Sequence, residues 1–197
     1  MGHRRTHDRE DHVTYELTHD WWSARVNAWR EHVVPRLPRP FHWLEIGSFE
    51  GRSAVWMLDE VMQPGDTLTC VDIWLHAFDG FSSDCPEARF DRNVAGRVEK
   101  HKCRSHEFLA KALATHRRFN GVYIDGDHLA RSVLEDSVLA WRLLPVGGVI
   151  VWDDYLWHSP TKPDTLPPKP AIDAFLAMYQ VEVVHREWQV IGVKRGE

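Results

Sequence analysis

The stretch His42-Trp-Leu-Glu-Ile-Gly-Ser-Phe-Glu-Gly-Arg-Ser53 decides how this chain folds. Trp43, Leu44 and Ile46 make an apolar strand core. Gly47 and Gly51 interrupt it, and a helix-compatible run follows over residues 53–62. Strand, glycine turn and helix form the opening unit of an open α/β sheet, and the first such turn is where the polar end of a ligand usually sits. The helix start offers N–H groups without intrahelical partners and the positive end of its dipole. Glycine takes φ > 0 without strain and lets backbone approach a ligand closely. The spacing here is Glu45-x-Gly47-x-x-x-Gly51, so the Gly-x-Gly-x-x-Gly of a dinucleotide turn is absent.

Working outward, strands expected at 67–71, 98–103, 120–125 and 149–152 alternate with helical patterns near 87–95 and 129–144. A helix also follows Ser105, which can cap it. Repeated strand–helix alternation predicts a parallel sheet with right-handed crossovers. The end of the chain differs: a helix at 171–179, then strands at 181–185 and 189–194 joined by a few residues, which reads as an antiparallel hairpin. The expected fold is α/β, a doubly wound, mostly parallel seven-stranded sheet with a C-terminal antiparallel hairpin. Upstream, Thr18 or Asp20 can cap a helix running to His32, with Trp22, Val26 and Trp29 on one face. Residues 1–17, polar and histidine-rich, read as a flexible arm before a single domain over 18–197. Residues 159–170 carry five prolines and read as a loop over the strand ends.

Composition narrows the function classes. With 43% hydrophobic and 27% charged residues the chain reads as a globular domain with a sizeable core. No apolar run approaches the ~18 residues of a membrane span, and no apolar leader core follows the N-terminus, so no membrane partner and a cytoplasmic address are expected. A net charge of −5 without a basic run argues against nucleic acid as a partner. The three cysteines, Cys70, Cys85 and Cys103, form no Cys-x-x-Cys pair. Tryptophans of the first helix leave a homo-oligomeric interface open.

The chemistry gathers at strand ends. Four strands finish in acids: Glu45, Asp72, Asp125 and the pair Asp153-Asp154. In an open parallel sheet these ends share the edge that holds the ligand crevice. Carboxylates crowded there repel one another unless a cation or hydroxyl donors compensate them. Asp72 stands where a carboxylate accepts ribose hydroxyls, a position common to several adenosine-ligand folds. Asp125, Asp153 and Asp154 are hard oxygen ligands suited to Mg²⁺ or Ca²⁺, and the lack of nearby sulfur disfavours zinc. The alternative is that Asp125 merely ends its strand and Asp153-Asp154 caps a turn. His128, three residues beyond Asp125, can take a proton near neutral pH, with Asp127 as the competing base.

Taken in order, Tyr123-Ile-Asp-Gly-Asp-His128, Val133-Leu-Glu-Asp136, Trp141-Arg-Leu-Leu-Pro-Val-Gly-Gly148, Val151-Trp-Asp-Asp-Tyr155, Pro168-Lys-Pro-Ala-Ile-Asp-Ala-Phe175 and Trp188-Gln-Val-Ile191 resemble small class I S-adenosylmethionine (SAM)-dependent methyltransferases. That family includes sugar and natural-product O-methyltransferases, and the first turn is also similar to catechol O-methyltransferase. The resemblance implies that Glu45, Gly47, Ser48, Phe49, Gly51, Ser53, Asp72 and Asp125 hold SAM, with Ser105 near the adenine. It implies a divalent cation, Mg²⁺ or another, on Asp125, Asp153 and Asp154. The base would be His128 or Asp127, and the acceptor a hydroxyl of a small molecule, a sugar or glycosylated metabolite. Tyr155, Trp157 and His158 would wall the acceptor. The catechol enzyme ends its metal pair with asparagine where this chain has Asp154. The rival readings are an NAD-dependent oxidoreductase and a non-catalytic SAM- or nucleotide-binding module.

Overall fold

Residues 43–46 alternate between two buried environments, and that alternation organises the molecule. The computed structural model describes residues 14–75, 86–159 and 164–196. Strands β1 (His42–Ile46), β2 (Thr67–Asp72), β3 (Glu99–Lys102), β4 (Gly121–Ile124), β5 (Val149–Trp152), β6 (Val181–Arg186) and β7 (Val190–Lys194) form one sheet in the order β3-β2-β1-β4-β5-β7-β6. The first five run parallel, and β7 pairs antiparallel with both β5 and β6. This is the expected doubly wound, mostly parallel sheet closed by a hairpin.

Helices α1 (Val26–His32), α2 (Arg52–Trp56) and α3 (Pro86–Val94) serve one face, and α4 (Ser105–Ala114), α5 (Ala130–Leu143) and α6 (Pro168–Met178) the other. Leu44, Ile46, Val122, Ile124, Ile150 and Trp152 pack with α4–α6. Trp43, Cys70, Tyr123, Val149, Val151 and Ile191 pack with α1–α3. Each fully buried large apolar side chain contributes about 1.5–3 kcal/mol. Glu45, Asp125 and Asp153 are in phase with Trp43, Tyr123 and Val151, since side chains repeat every second residue along a strand. They therefore belong to the α1–α3 side of the sheet edge. Gly121 stays side-chain-free because a Cβ there would lie 2.0 Å from the Trp43 ring.

Local chemistry sets the element ends. Asp20 Oδ1 accepts the Ser23 N–H at 2.9 Å, capping a short 3₁₀ turn (Ser23–Arg25) that leads into α1. The helix proper is thus shorter than the sequence pattern suggests. Helix α6 begins at Pro168, inside the proline-rich stretch expected as loop, because proline in a first turn lacks only an N–H that would be unpaired anyway. Lys194 is buried, and its Nζ donates to the carbonyls of Trp141 and Leu144, 3.0 Å each, at the C-terminal end of α5.

Of the expected arm, residues 1–13 lie outside the described residues, while 14–17 are docked. Tyr15 Oη donates to Asp59 at 2.6 Å, and the Glu16 carboxylate receives Arg92 at 2.9 and 2.5 Å. Cys85 and the Gly80 loop also lie outside the described residues. No helix among the described residues is long and apolar enough to cross a membrane.

Candidate functional site

The strand order reverses between β1 and β4, which opens the crevice at their C-terminal ends. The register pairs Ile46 with both Val71 and Ile124, and Ile124 with Trp152. Gly47, Asp72, Asp125 and Asp153 therefore emerge in one row. Gly47 has φ +84°, and a Cβ there would fall 1.9 Å from the Asp125 carbonyl oxygen. Only glycine fits where β1 and β4 part. Gly51, at φ +83°, is the N-cap of α2.

Asp72 braces the turn. Its Oδ2 accepts the N–H groups of Ser48 (2.8 Å) and Phe49 (2.9 Å), and its Oδ1 accepts that of Trp74 at 2.7 Å. A carboxylate has about four acceptor positions, so one on Oδ1 remains for a ligand hydroxyl. On the other side of the turn, Glu50 is buried and pairs with Arg89 at 2.7 Å. Glu50 also accepts the Thr18 N–H at 2.7 Å, which pins the N-terminal segment to the turn. Sequence reasoning missed this pair, whose members stand 39 residues apart.

Glu45 is buried below the turn. Its Oε1 accepts the Ser53 hydroxyl, and Oε2 lies 3.6 Å from Cys70 Sγ. Burial pushes its carboxyl up to about 7; the Ser53 and Cys70 contacts oppose that rise and the Asp72 charge adds to it. The folded chain therefore holds a proton here between about pH 4.5 and 7 that the unfolded chain releases. Stability falls as pH rises through that window, by up to about 3 kcal/mol from this group. Glu45→Gln is expected to flatten the decline in melting temperature between pH 5 and 7.5. An unchanged slope would place the pH dependence on other groups.

Beyond β4 and β5 the acids converge. Tyr123 Oη lies 3.0 Å from Asp125 Oδ2 and also hydrogen-bonds Asp153 Oδ2. Gln189 Nε2 donates to Asp153 Oδ2 at 3.0 Å and to Tyr123 Oη at 3.2 Å, and Asp153 Oδ1 accepts the Asp154 N–H at 2.7 Å. Asp154 adopts φ +56°. Its Oδ1 accepts the Trp188 indole N–H at 3.1 Å, and its Oδ2 lies 3.0 Å from His128 Nδ1. One ligand atom each from Asp125, His128 and Asp154 falls within 4.8 Å of the others. The sequence grouped Asp125, Asp153 and Asp154; the fold brings His128 into the cluster, while both Asp153 oxygens already accept protein donors.

Burial, then the charges of Asp153 and Asp154, push the Asp125 carboxyl well above the usual range. Asp153 is raised for the same reasons, burial first and Asp154 second. For His128 burial disfavours the imidazolium, but the Asp154 hydrogen bond and the surrounding acids outweigh it and raise its pKa. The donor set, carboxylate oxygens and one imidazole nitrogen with excess negative charge, fits a hard divalent cation. Asp127 is exposed, and its oxygens accept the Leu129 N–H at 3.3 Å and the Ser132 hydroxyl at 2.7 Å, near the start of α5.

The remaining expected residues separate. Ser105 opens α4 and hydrogen-bonds the buried Asp136, whose carboxyl burial pushes up to about 7. Tyr155 turns inward, its hydroxyl 2.7 Å from Asp173 Oδ1, so it faces α6. The Trp157 ring packs 4.9 Å from that of His128, and His158 is exposed. Ile73, next to Asp72, is 37% exposed and offers an apolar edge that the sequence reading did not single out.

A family model described as a methyltransferase domain matches residues 44–155. Among solved structures, an O-methyltransferase from Bacillus cereus in complex with SAH superposes with TM-score 0.66 at 16% identity, over 90% of this chain and 84% of that one. TomG, an O-methyltransferase from Streptomyces achromogenes involved in tomaymycin synthesis, in complex with SAM, gives 0.61 at 21% identity, over 87% and 80%. MycE, a methyltransferase of the mycinamycin biosynthetic pathway in complex with Mg, SAH and mycinamycin VI, gives 0.63 at 13% identity, over 87% of this chain and 48% of that one. No curated protein matches the chain in sequence. At these identities the structural likeness establishes the fold.

Proposed function

The chain belongs to the methyltransferase-domain family, and from that premise we propose that it transfers a methyl group from SAM to a hydroxyl of a small molecule, a sugar or glycosylated metabolite, with a divalent cation assisting. The observation that carries this reading is one continuous sheet edge. The braced glycine turn and Asp72 stand beside the Asp125–His128–Asp154 group, at strand ends in register.

SAM supplies an electrophilic methyl on a sulfonium centre. Glu45 stands below the turn, where an ammonium group would relieve its burial, and the carboxylate of the methionine moiety would lie against the turn backbone. The remaining acceptor position on Asp72 suits a ribose hydroxyl, and Ile73 suits an adenine face. Ser105, at the start of α4, lies on the adenine side. Asp125, Asp153 and Asp154 would hold the cation, which would supply Lewis acidity toward an acceptor hydroxyl, and the His128 ring would stay free of it. His128 receives the hydroxyl proton, its ring oriented by Asp154, while Asp127 is occupied at the start of α5. Trp157 beside His128 gives the acceptor an aromatic wall. Holding acceptor oxygen and methyl carbon in line at one edge supplies proximity and orientation. The MycE complex, with Mg, SAH and mycinamycin VI, supports the cation and a small-molecule acceptor. The net charge of −5 supports a small molecule over nucleic acid. The family match takes the place of the oxidoreductase alternative.

The test is SAM binding followed by methyl transfer from labelled SAM to a panel of hydroxyl acceptors. Asp72→Ala is expected to weaken SAM binding, since a charged hydrogen bond is worth about 1.5–3 kcal/mol, or roughly ten- to a hundredfold in affinity. The turn also loses its brace. Calorimetry returning the wild-type affinity would remove Asp72 from the cofactor site.

A further inference from the structure

The acids at the sheet edge are supported from beneath by groups that the reaction itself leaves unused. Trp29 on α1 is fully buried, and its indole N–H donates to Gln189 Oε1 at 2.9 Å. An indole N–H is a donor only, so it fixes which end of the Gln189 amide faces α1. The two amide hydrogens are thereby aimed away from α1, at Tyr123 Oη and Asp153 Oδ2. Tyr123 has one hydroxyl hydrogen and sits between the carboxylates of Asp125 and Asp153. Asp153 thus collects three donors, Tyr123, Gln189 and the Asp154 N–H. The last of these holds Asp154 in its left-handed backbone, which non-glycine residues seldom adopt. That backbone sends the Asp154 carboxylate toward His128.

We propose that Gln189 and Tyr123, with Trp29 behind them, are positioning residues that set the carboxylates of Asp125 and Asp154, beside Asp153, for a divalent cation. They act through Asp153, which serves as the relay between the buried amide and the Asp154 backbone. This rests on the cation reading given above. It assigns a task to Gln189 in the stretch Trp188-Gln-Val-Ile191, which leads into strand β7 and whose Trp188 indole already holds Asp154, and it links the placement of α1 to the cation group. Without the amide, Asp153 loses one of its three donors and is free to turn toward Asp125, which scatters the ligand atoms.

Mn²⁺ titration followed by the electron paramagnetic resonance of the free ion, without SAM, tests this directly. Gln189→Leu and Tyr123→Phe are each expected to weaken Mn²⁺ binding about tenfold or more, the loss of a hydrogen bond to a charged group. Their SAM affinity, measured without metal, should match the wild type and report that the fold is intact. Gln189→Met provides a second near-isosteric variant should the leucine variant not fold. Trp29→Phe should weaken Mn²⁺ binding in the wild-type background and have no further effect on top of Gln189→Leu, because its action runs through the amide. A merely structural role would lower the melting temperature and leave Mn²⁺ affinity alone. If the wild type binds Mn²⁺ and Gln189→Leu and Tyr123→Phe bind it equally well, the positioning role is overturned and the cation reading stands. If the wild type itself binds no Mn²⁺, the cation reading falls first and the positioning role with it.

Discussion

Replacing His128 with glutamine is expected to cut turnover by about a hundred- to ten-thousandfold, the usual contribution of a positioned proton acceptor, while SAM affinity stays at the wild-type value. His128 Nδ1 lies 3.0 Å from Asp154 Oδ2, so the ring is oriented by the same carboxylate that belongs to the acidic group. Trp157 packs against the ring, the two centroids 4.9 Å apart. The proposed contacts to SAM centre on β1, β2 and the turn before α2, away from His128, so turnover and SAM binding are expected to separate. Glutamine preserves polarity and volume but takes up no proton. The rate of the wild type should fall on the acid side, where the imidazole becomes charged, and that limb should vanish in His128→Gln. If Asp127→Ala abolishes turnover and His128→Gln does not, the proton acceptor is Asp127, despite its bonds to Leu129 and Ser132.

The second large effect is expected from chelation. EDTA should lower both melting temperature and activity, and Mg²⁺ or Mn²⁺ should restore both. A ligand at a hundred times its dissociation constant adds about 2.7 kcal/mol of stability. At roughly 2–4 °C per kcal/mol for a chain of this size, that is about 5–10 °C. The direction with pH follows from Asp125, whose carboxyl burial and the neighbouring acids hold well above the usual range. Protons and cation compete for it, so cation affinity should rise with pH. Asp154→Ala should abolish the thermal response to Mg²⁺ while SAM binding persists. Methyl transfer undiminished by EDTA would leave a metal-independent methyltransferase.

Much of the edge was legible from local pattern. Period two along a strand places Glu45 with Trp43 and Asp125 with Tyr123, and the glycines at 47 and 51 announce the turn before α2. The parallel alternation and the closing hairpin followed from the same periodicities, and the motif resemblance pointed to the family whose model matches 44–155. Element ends were less legible. Helix α6 starts inside a proline-rich stretch because a first turn tolerates proline, which composition alone reads as loop.

By itself, then, the sequence determined which residues are strand-end acids and on which face of the sheet they emerge, because those properties depend on spacing within one strand. Only the tertiary structure decided how they pair. Gln189 meets Asp153 across 36 residues and Trp29 across 160, and Ser105 turns to Asp136 on a neighbouring helix. His128 joins Asp154 because that residue takes φ +56°. These contacts arise from packing one buried polar group against another, where each donor must find an acceptor once water is excluded. The partner is whichever group the fold brings near, and no local spacing encodes it.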